Sequence, residues 1–143
     1  MSKVVITGST GYVGSRLIKV LGDTKHSLVC IARNKKYLEN KLPSNASVIE
    51  LDFSKKIKEI DPFQNAKVAF FLMHSLGEKK AFEKIESSVA QNFVSAAKAS
   101  GVQKIIYLGG LFDSKYDNHS AHIRSREEVG NILIKDSKGL YKL

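Results

Sequence analysis

The chain has 143 residues, enough for one domain with a real core and too few for two ordinary ones. Its 43% hydrophobic and 26% charged content excludes a disordered chain. No apolar stretch approaches the roughly 20 residues of a membrane span, and Met1 runs into a strand-like segment with no room for a signal peptide. The formal charge of +9 is spread over scattered lysines such as Lys35/Lys36, Lys55/Lys56/Lys58 and Lys79/Lys80. That reads as a solvated surface rather than a continuous nucleic-acid face, so RNA binding stands only as a third-ranked expectation. The single cysteine, Cys30, lies inside an apolar run; this excludes a disulfide framework and points to a reducing, cytoplasmic setting.

In chain order, residues 3–7 (KVVIT) are short, β-branched and apolar, as a buried strand requires. Residues 12–22 repeat apolar side chains at Val13, Leu17, Val20 and Leu21, which predicts a helix with that stripe inward. A second strand is expected at 27–32, a short helix within 34–42, and a third strand at 47–51. Residues 55–61 are weakly helical, and Pro62 ends them. A fourth strand is predicted at 67–72 and the longest helix at 79–99, with Phe82, Ile85, Val89, Phe93, Ala96 and Ala97 on one face. Gly101 sits where a helix C-terminal glycine belongs. A fifth strand follows at 103–108, and a last helix at 120–136 with Ile123, Val129, Ile132 and Leu133 inward.

Near-continuous apolar strands call for a sheet covered on both faces, and strand–helix alternation calls for right-handed crossovers between parallel strands. The expected fold class is therefore α/β: a three-layer, doubly wound parallel sheet of the Rossmann type. It has about five strands in the order 3-2-1-4-5 and forms a single domain over residues 1–143.

Between the first strand and the first helix stand Gly8, Gly11 and Gly14. A helix N-terminus offers unpaired N–H groups and a partial positive charge to an anion. The loop entering it must turn tightly, let the backbone approach the anion, and pack close. Gly8 is assigned the turn, Gly11 the close approach to a pyrophosphate and Gly14 the packing of helix on strand. Ser9 and Thr10 are expected to add hydroxyl donors, and Tyr12 and Val13 to complete the set with the first turn of the helix. The position of the triplet, after a strand and opening a helix, favours a dinucleotide over a ligand-free turn.

Thr7-Gly8-x-x-Gly11-x-x-Gly14 resembles the T-G-x-x-G-x-x-G turn of the extended and atypical short-chain dehydrogenases/reductases. The resemblance implies further cofactor residues. The second strand ends at Arg33 rather than at an acidic residue. With Lys35 and Lys36 behind it, Arg33 suits a 2′-phosphate, so NADP is the expected cofactor, with NAD as the other possibility. Asp52-Phe53 resembles the pair that flanks the adenine. Leu72, Met73 and His74 follow the fourth strand, where this family lays backbone along the cofactor. The segments FFLMHSLG (70–77), IIYLGGL (105–111) and HIRSREEVGNIL (122–133) resemble a branch of NAD(P)-binding proteins among the atypical members.

The Tyr-x-x-x-Lys pair of a standard reductase does not occur in the last helix; its register holds His122-x-x-x-Arg126. Gly109 and Gly110 replace the strand-end Ser/Thr that polarises a carbonyl. Gly109 is counted with the cofactor residues. His122 and Arg126 are either a substitute acid/base dyad or a pair that holds cofactor or caps its own helix. No metal-ligand spacing is present.

The resembled proteins continue into a sixth strand and a C-terminal substrate lobe. Residues 137–143 read as the loop entering that strand, which would leave the fifth strand as an apolar edge covered by the tail, a second copy or a protein partner. Two functions follow: an oxidoreductase-related NAD(P)-binding domain with its substrate unknown, or a non-catalytic NADP(H)-dependent sensor that binds a protein partner.

Overall fold

The computed structural model describes residues 1–57, 62–74, 81–109, 121–137 and 141–142. Its strands are β1 (Lys3–Ile6), β2 (Ser27–Ala32), β3 (Ala46–Glu50), β4 (Ala66–Phe71), β5 (Lys104–Tyr107) and β6 (Tyr141–Lys142). Its helices are α1 (Tyr12–Gly22), α2 (Ala81–Ala99) and α3 (Ala121–Ser137), with a 3₁₀ turn at Lys35–Tyr37 where the short helix is expected. The strands form one parallel sheet in the order β3-β2-β1-β4-β5-β6. The expected 3-2-1-4-5 order is present, with one strand more. Tyr141 lies opposite Ile105 and Lys142 opposite Ile106, so the tail itself pairs with the apolar fifth strand.

Alternation along the strands sends side chains to two separate cores. Val5, Val29, Ile31, Ala69, Phe71, Ile105 and Tyr107 face one side, where they meet Phe93, Val94 and Ala97 of α2 and Val129 and Leu133 of α3. Val4, Ile6, Leu28, Cys30 and Ala32 face the other side, against Ile18 of α1 and Leu38. Helix α1 thus lies on one face of the sheet and α2 and α3 on the other. The chain leaves β1 and β4, which are neighbours, toward opposite faces. A crevice opens between their C-terminal ends, the place where open α/β sheets bind ligands.

The first core is aromatic. Phe93 stands edge-on to Phe53, Phe63 and Phe71 at centroid distances of 5.8, 5.3 and 4.9 Å, and Phe71 continues the chain of rings to Tyr107 at 5.7 Å. Edge-to-face geometry sets the positive rim of one ring against the negative face of the next.

Two helix faces differ from the sequence expectation. On α1 the inward residues are Gly14, Leu17, Ile18 and Leu21, while Val13 and Val20 are 42% and 69% exposed. Val13 and Val20 lie one position off the i, i+3, i+4, i+7 row that meets the sheet. On α2 the buried row is Ala90, Phe93, Val94 and Ala97, with Val89 and Ala96 at its margin and Ile85 48% exposed. The side chain of Phe82 lies outside the described residues. Helix α2 ends as expected: Gly101 takes φ +74, its N–H donates to Lys98 O (3.1 Å), and Val102 N–H donates to Ala97 O (3.0 Å). These paired bonds satisfy the last carbonyls of the helix. Of the expected weak helix at 55–61, residues 55–57 are not helical and 58–61 lie outside the described residues.

At the far end of the sheet, Asn45 fastens the loops. Its amide nitrogen shares its two N–H groups among three carbonyls, Leu21 O (3.1 Å), Thr24 O (3.2 Å) and His26 O (2.9 Å).

Candidate functional site

The three glycines have different reasons to be glycine. Gly8 takes φ +65, and a Cβ there would lie 2.3 Å from Leu72 O. The turn after β1 is therefore pressed against the backbone leaving β4. At Gly14 a Cβ would lie 2.2 Å from Gly8 O and 3.1 Å from Ser9 Cα, so α1 packs directly on the turn. Gly11 is different. Its φ of −77° and ψ of 173° suit any residue. A Cβ there would meet only Gly8 O, at 3.3 Å, a contact that a shift of a few tenths of an ångström relieves. The protein's own packing presses on this position far less than on Gly8 or Gly14.

Gly11 is also the N-cap of α1, and no side chain caps the helix there. The first intrahelical bond runs from Ser15 N to Gly11 O (3.0 Å). The N–H groups of Tyr12, Val13 and Gly14 therefore precede the helical ladder and point out of the helix end, with its partial positive charge behind them. Tyr12 is 73% exposed and carries the Arg16 guanidinium 3.5 Å above its ring. Arg16 also donates to Tyr12 O (3.3 Å). This cation–π pair was not read from the sequence, although the i, i+4 spacing of Tyr12 and Arg16 signals it.

Two of the hydroxyls, those of Thr7 and Ser9, serve the turn itself. Thr7 is fully buried; its Oγ1 donates to Phe70 O (2.8 Å) and accepts from Leu72 N (3.3 Å), stitching β1 to β4. Ser9 is fully buried and donates to Ile6 O (2.7 Å). A hydroxyl has one proton to give, so Ser9 is not the anion donor expected from its position. Thr10 is exposed beside Gly11. Beneath the turn, burial pushes the Cys30 thiol up to about 11, with the neighbouring Ser9 side chain acting in the opposite direction.

On one flank of the turn stand the ends of β2 and β3. Arg33 is exposed. Asn34 caps the 3₁₀ turn by accepting from Lys36 N (3.0 Å). Lys35 is engaged twice, its amide with Glu50 Oε2 (3.1 Å) and its ammonium with Glu39 (3.3 Å). Asp52 accepts from the hydroxyl (2.7 Å) and amide (2.9 Å) of Ser54. The Ser54 hydroxyl above all, aided by its amide and by the charges of Lys55 and Arg33, holds the Asp52 carboxyl below the usual carboxylate range against the effect of partial burial. Phe53 turns away from this surface, with its ring in the aromatic core at 6.1 Å from Phe63. What it offers a ligand is main chain, and its carbonyl is held by the Asn92 amide (2.7 Å), which sequence reading missed.

On the other flank stand the ends of β4 and β5. Leu72 and Met73 are partly buried, with Leu72 O against Gly8. His74 is exposed, and its ring lies 6.4 Å from that of Tyr107. Tyr107 OH donates to Arg126 O (3.1 Å), and the buried Ser125 hydroxyl donates to Glu86 of α2. Partial burial and then the Arg126 charge lower the His74 pKa, while Glu86 raises it. Gly109 is partly buried two residues beyond β5. His122 lies in the first turn of α3, and its side chain, like residues 110–120, is outside the described residues. Of the expected pair, Arg126 stands near enough for its charge to act on His74.

No group of three or more His, Cys, Asp or Glu among the described residues could hold a metal ion. No described helix is long and apolar enough to cross a membrane.

The sequence matches the model of a family described as NAD(P)H-binding over residues 8–139. No curated protein matches the chain. Among solved structures, the oxidoreductase ylbE from Lactococcus lactis superposes with a TM-score of 0.70 at 22% identity, covering 96% of this chain and 61% of its own. An NADPH-dependent quinone oxidoreductase from Escherichia coli, complexed with NADPH, gives 0.73 at 22% identity over 96% of this chain and 46% of its own. A UDP-Glc/GlcNAc 4-epimerase from Campylobacter jejuni gives 0.77 at 16% identity over 96% and 50%. The likeness is one of fold, and the chain spans between about half and three fifths of the length of these proteins.

Proposed function

Because the chain belongs to the NAD(P)H-binding family, we propose that its glycine turn holds the pyrophosphate of NADP(H) and that the domain serves an oxidoreductase. The observation that carries this reading is Gly11. It is a glycine whose φ suits any residue and whose Cβ would meet one atom at 3.3 Å, where Gly8 and Gly14 meet backbone at 2.3 and 2.2 Å, and it stands at the uncapped N-terminus of α1. A pyrophosphate resting on the main chain at that point supplies the missing reason, because a side chain would stand between phosphate and N–H groups.

The remaining residues follow from the two flanks. The adenosine half lies toward β2 and β3, over Asp52 and the main chain of Phe53, with the exposed Arg33 on the 2′-phosphate. Lys36 supports it, while Lys35 is already paired with Glu39. An arginine fork matches a phosphate in both geometry and charge. The nicotinamide half lies toward β4 and β5, along Leu72, Met73, His74 and Gly109. Bound there, the cofactor supplies hydride exchange; the chain supplies the anion site, the orientation and the polar groups around it. Thr7 and Ser9 support the cradle from behind rather than touching the ligand. No observation favours the non-catalytic sensor reading over this one.

Calorimetric titration with NADPH and NADH tests the assignment. Micromolar binding with NADPH preferred is the expected result. Arg33→Asp is expected to reverse the preference by placing a carboxylate where a ribose hydroxyl, not a phosphate, can be accepted. An unchanged preference in that variant removes Arg33 from the site.

A further inference from the structure

Four elements meet beside the nicotinamide flank: the end of β4 with His74, β5 with Tyr107, α2 with Glu86 and α3 with Ser125 and Arg126. Ser125 is 3% exposed and Tyr107 is 3% exposed, so their hydroxyl contacts fix the cluster from inside. Tyr107 OH is engaged by Arg126 O and cannot serve as the free phenol of a reductase. His74 alone of these groups is both exposed and capable of taking a proton at neutral pH. It stands two residues beyond the Leu72 carbonyl that touches Gly8, on the lip of the crevice between β1 and β4.

We propose that His74 is the proton acceptor at the nicotinamide end of this site, taking the hydroxyl proton of an alcohol bound there. The assignment rests on the cofactor reading above and adds a role for one residue to it. In the step, the O–H bond breaks, its electron pair stays on oxygen, and an N–H bond forms on the imidazole. The imidazolium then releases its proton to water. The charged groups facing His74 suit the task. Partial burial, and then the charge of Arg126 on α3, lower the pKa of the ring, which lies beside Tyr107 of β5. Glu86 on α2 acts in the other direction and favours the imidazolium once it forms. A base whose pKa lies just below the working pH is available as base and still able to accept.

The test needs no substrate. Diethyl pyrocarbonate acylates unprotonated imidazole, and peptide mass spectrometry separates His74 from the other three histidines of the chain. The rate at His74 is expected to rise with pH through a midpoint below 6.5, the ordinary histidine value. NADP⁺ at ten times its Kd is expected to slow that rate about tenfold, because only the unliganded fraction reacts. The adenosine-half probe 2′,5′-ADP, bound to the same extent by calorimetry, is expected to leave it unchanged. Calorimetric binding of NADP⁺ with no protection of His74 overturns the assignment, as does equal protection by 2′,5′-ADP. A midpoint above 6.5 overturns the acceptor role. Absence of NADP⁺ binding in the same calorimeter is a different result: it removes the cofactor reading, and the role of His74 falls with it.

Discussion

Alanine at each of the three glycines separates what the fold needs from what a ligand needs. At Gly14 the new methyl would lie 2.2 Å from Gly8 O, and reaching ordinary van der Waals separation requires an opening of about 1 Å. Overpacking of that kind costs about 1–3 kcal/mol. For a chain of this size each kcal/mol lowers Tm by about 3–4 °C, so Gly14→Ala is expected to melt about 3–12 °C below the parent. Gly8→Ala adds left-handed strain of about 1–2 kcal/mol to a contact of 2.3 Å with Leu72 O, and is expected to be the least stable of the three. At Gly11 the contact is 3.3 Å to Gly8 O and the backbone is extended. The weaker N-cap and the reduced freedom of the unfolded chain act in opposite directions, each by less than about 1 kcal/mol. Gly11→Ala is therefore expected to melt within about 3 °C of the parent and yet bind NADPH at least tenfold more weakly, about 1.4 kcal/mol. Calorimetric melting and titration of the same three samples read both quantities. If Gly11→Ala melts as low as Gly14→Ala, the glycine serves the fold and the case for a ligand there collapses; if it binds NADPH like the parent, the pyrophosphate lies elsewhere.

Asn45→Asp removes three hydrogen bonds and turns a carboxylate toward the carbonyls of Leu21, Thr24 and His26; urea unfolding is expected to show a loss of about 3 kcal/mol or more, and a loss below 1 kcal/mol would count against the latch. Cys30 is buried with its thiol pushed up to about 11, so in native buffer at pH 8 Ellman's reagent is expected to label it only as fast as the chain opens, and completely within seconds in urea; rapid native labelling would refute its place in the core. The folded chain holds the His74 pKa below 6.5, so between that lowered value and 6.5 the unfolded chain binds more protons and stability falls as pH falls. Urea midpoints of the parent are expected to drop across this window relative to those of His74→Gln, and parallel curves would show that the ring is not perturbed.

The sheet was legible because its physics is local. A parallel strand buried on both faces must be an apolar run, and β1, β2, β4 and β5 each fall within one residue of the segments expected for them. The glycine turn was legible because backbone requirements select a residue type directly. Side-chain direction was not. The motif located Ser9 and Phe53 in the chain but could not tell that one hydroxyl points back to Ile6 and that one ring enters the aromatic core. The register of α1 was misjudged for a related reason: Val13 and Val20 match the apolar pattern, but Gly14 sets the angle at which the helix meets the turn, and the inward row starts from it. The anchors Asn45 and Asn92 were invisible because their partners stand 19–24 and 37–39 residues away, and a lone asparagine carries no sign of which carbonyls it will meet.

Of the polar side chains of the turn, Thr7 and Ser9 face inward and Thr10 is exposed. What the crevice presents outward is main chain with the Thr10 hydroxyl at its centre and polar or charged side chains at its ends: Arg33 with Asp52 on one side, His74 with Arg126 on the other. Such a division suits a ligand with a constant middle and variable ends. N–H groups at a helix end meet a pyrophosphate without regard to what it joins, so the centre can be built from glycine and held rigid by buried hydroxyls. Discrimination then falls to the few exposed side chains on the flanks, where one substitution changes what is recognised and leaves the fold intact. The same division predicts where change is tolerated. Arg33 is exposed and its change leaves the core untouched, whereas Thr7, Gly8 and Gly14 each touch backbone on a neighbouring segment and cannot change without moving β4 or α1.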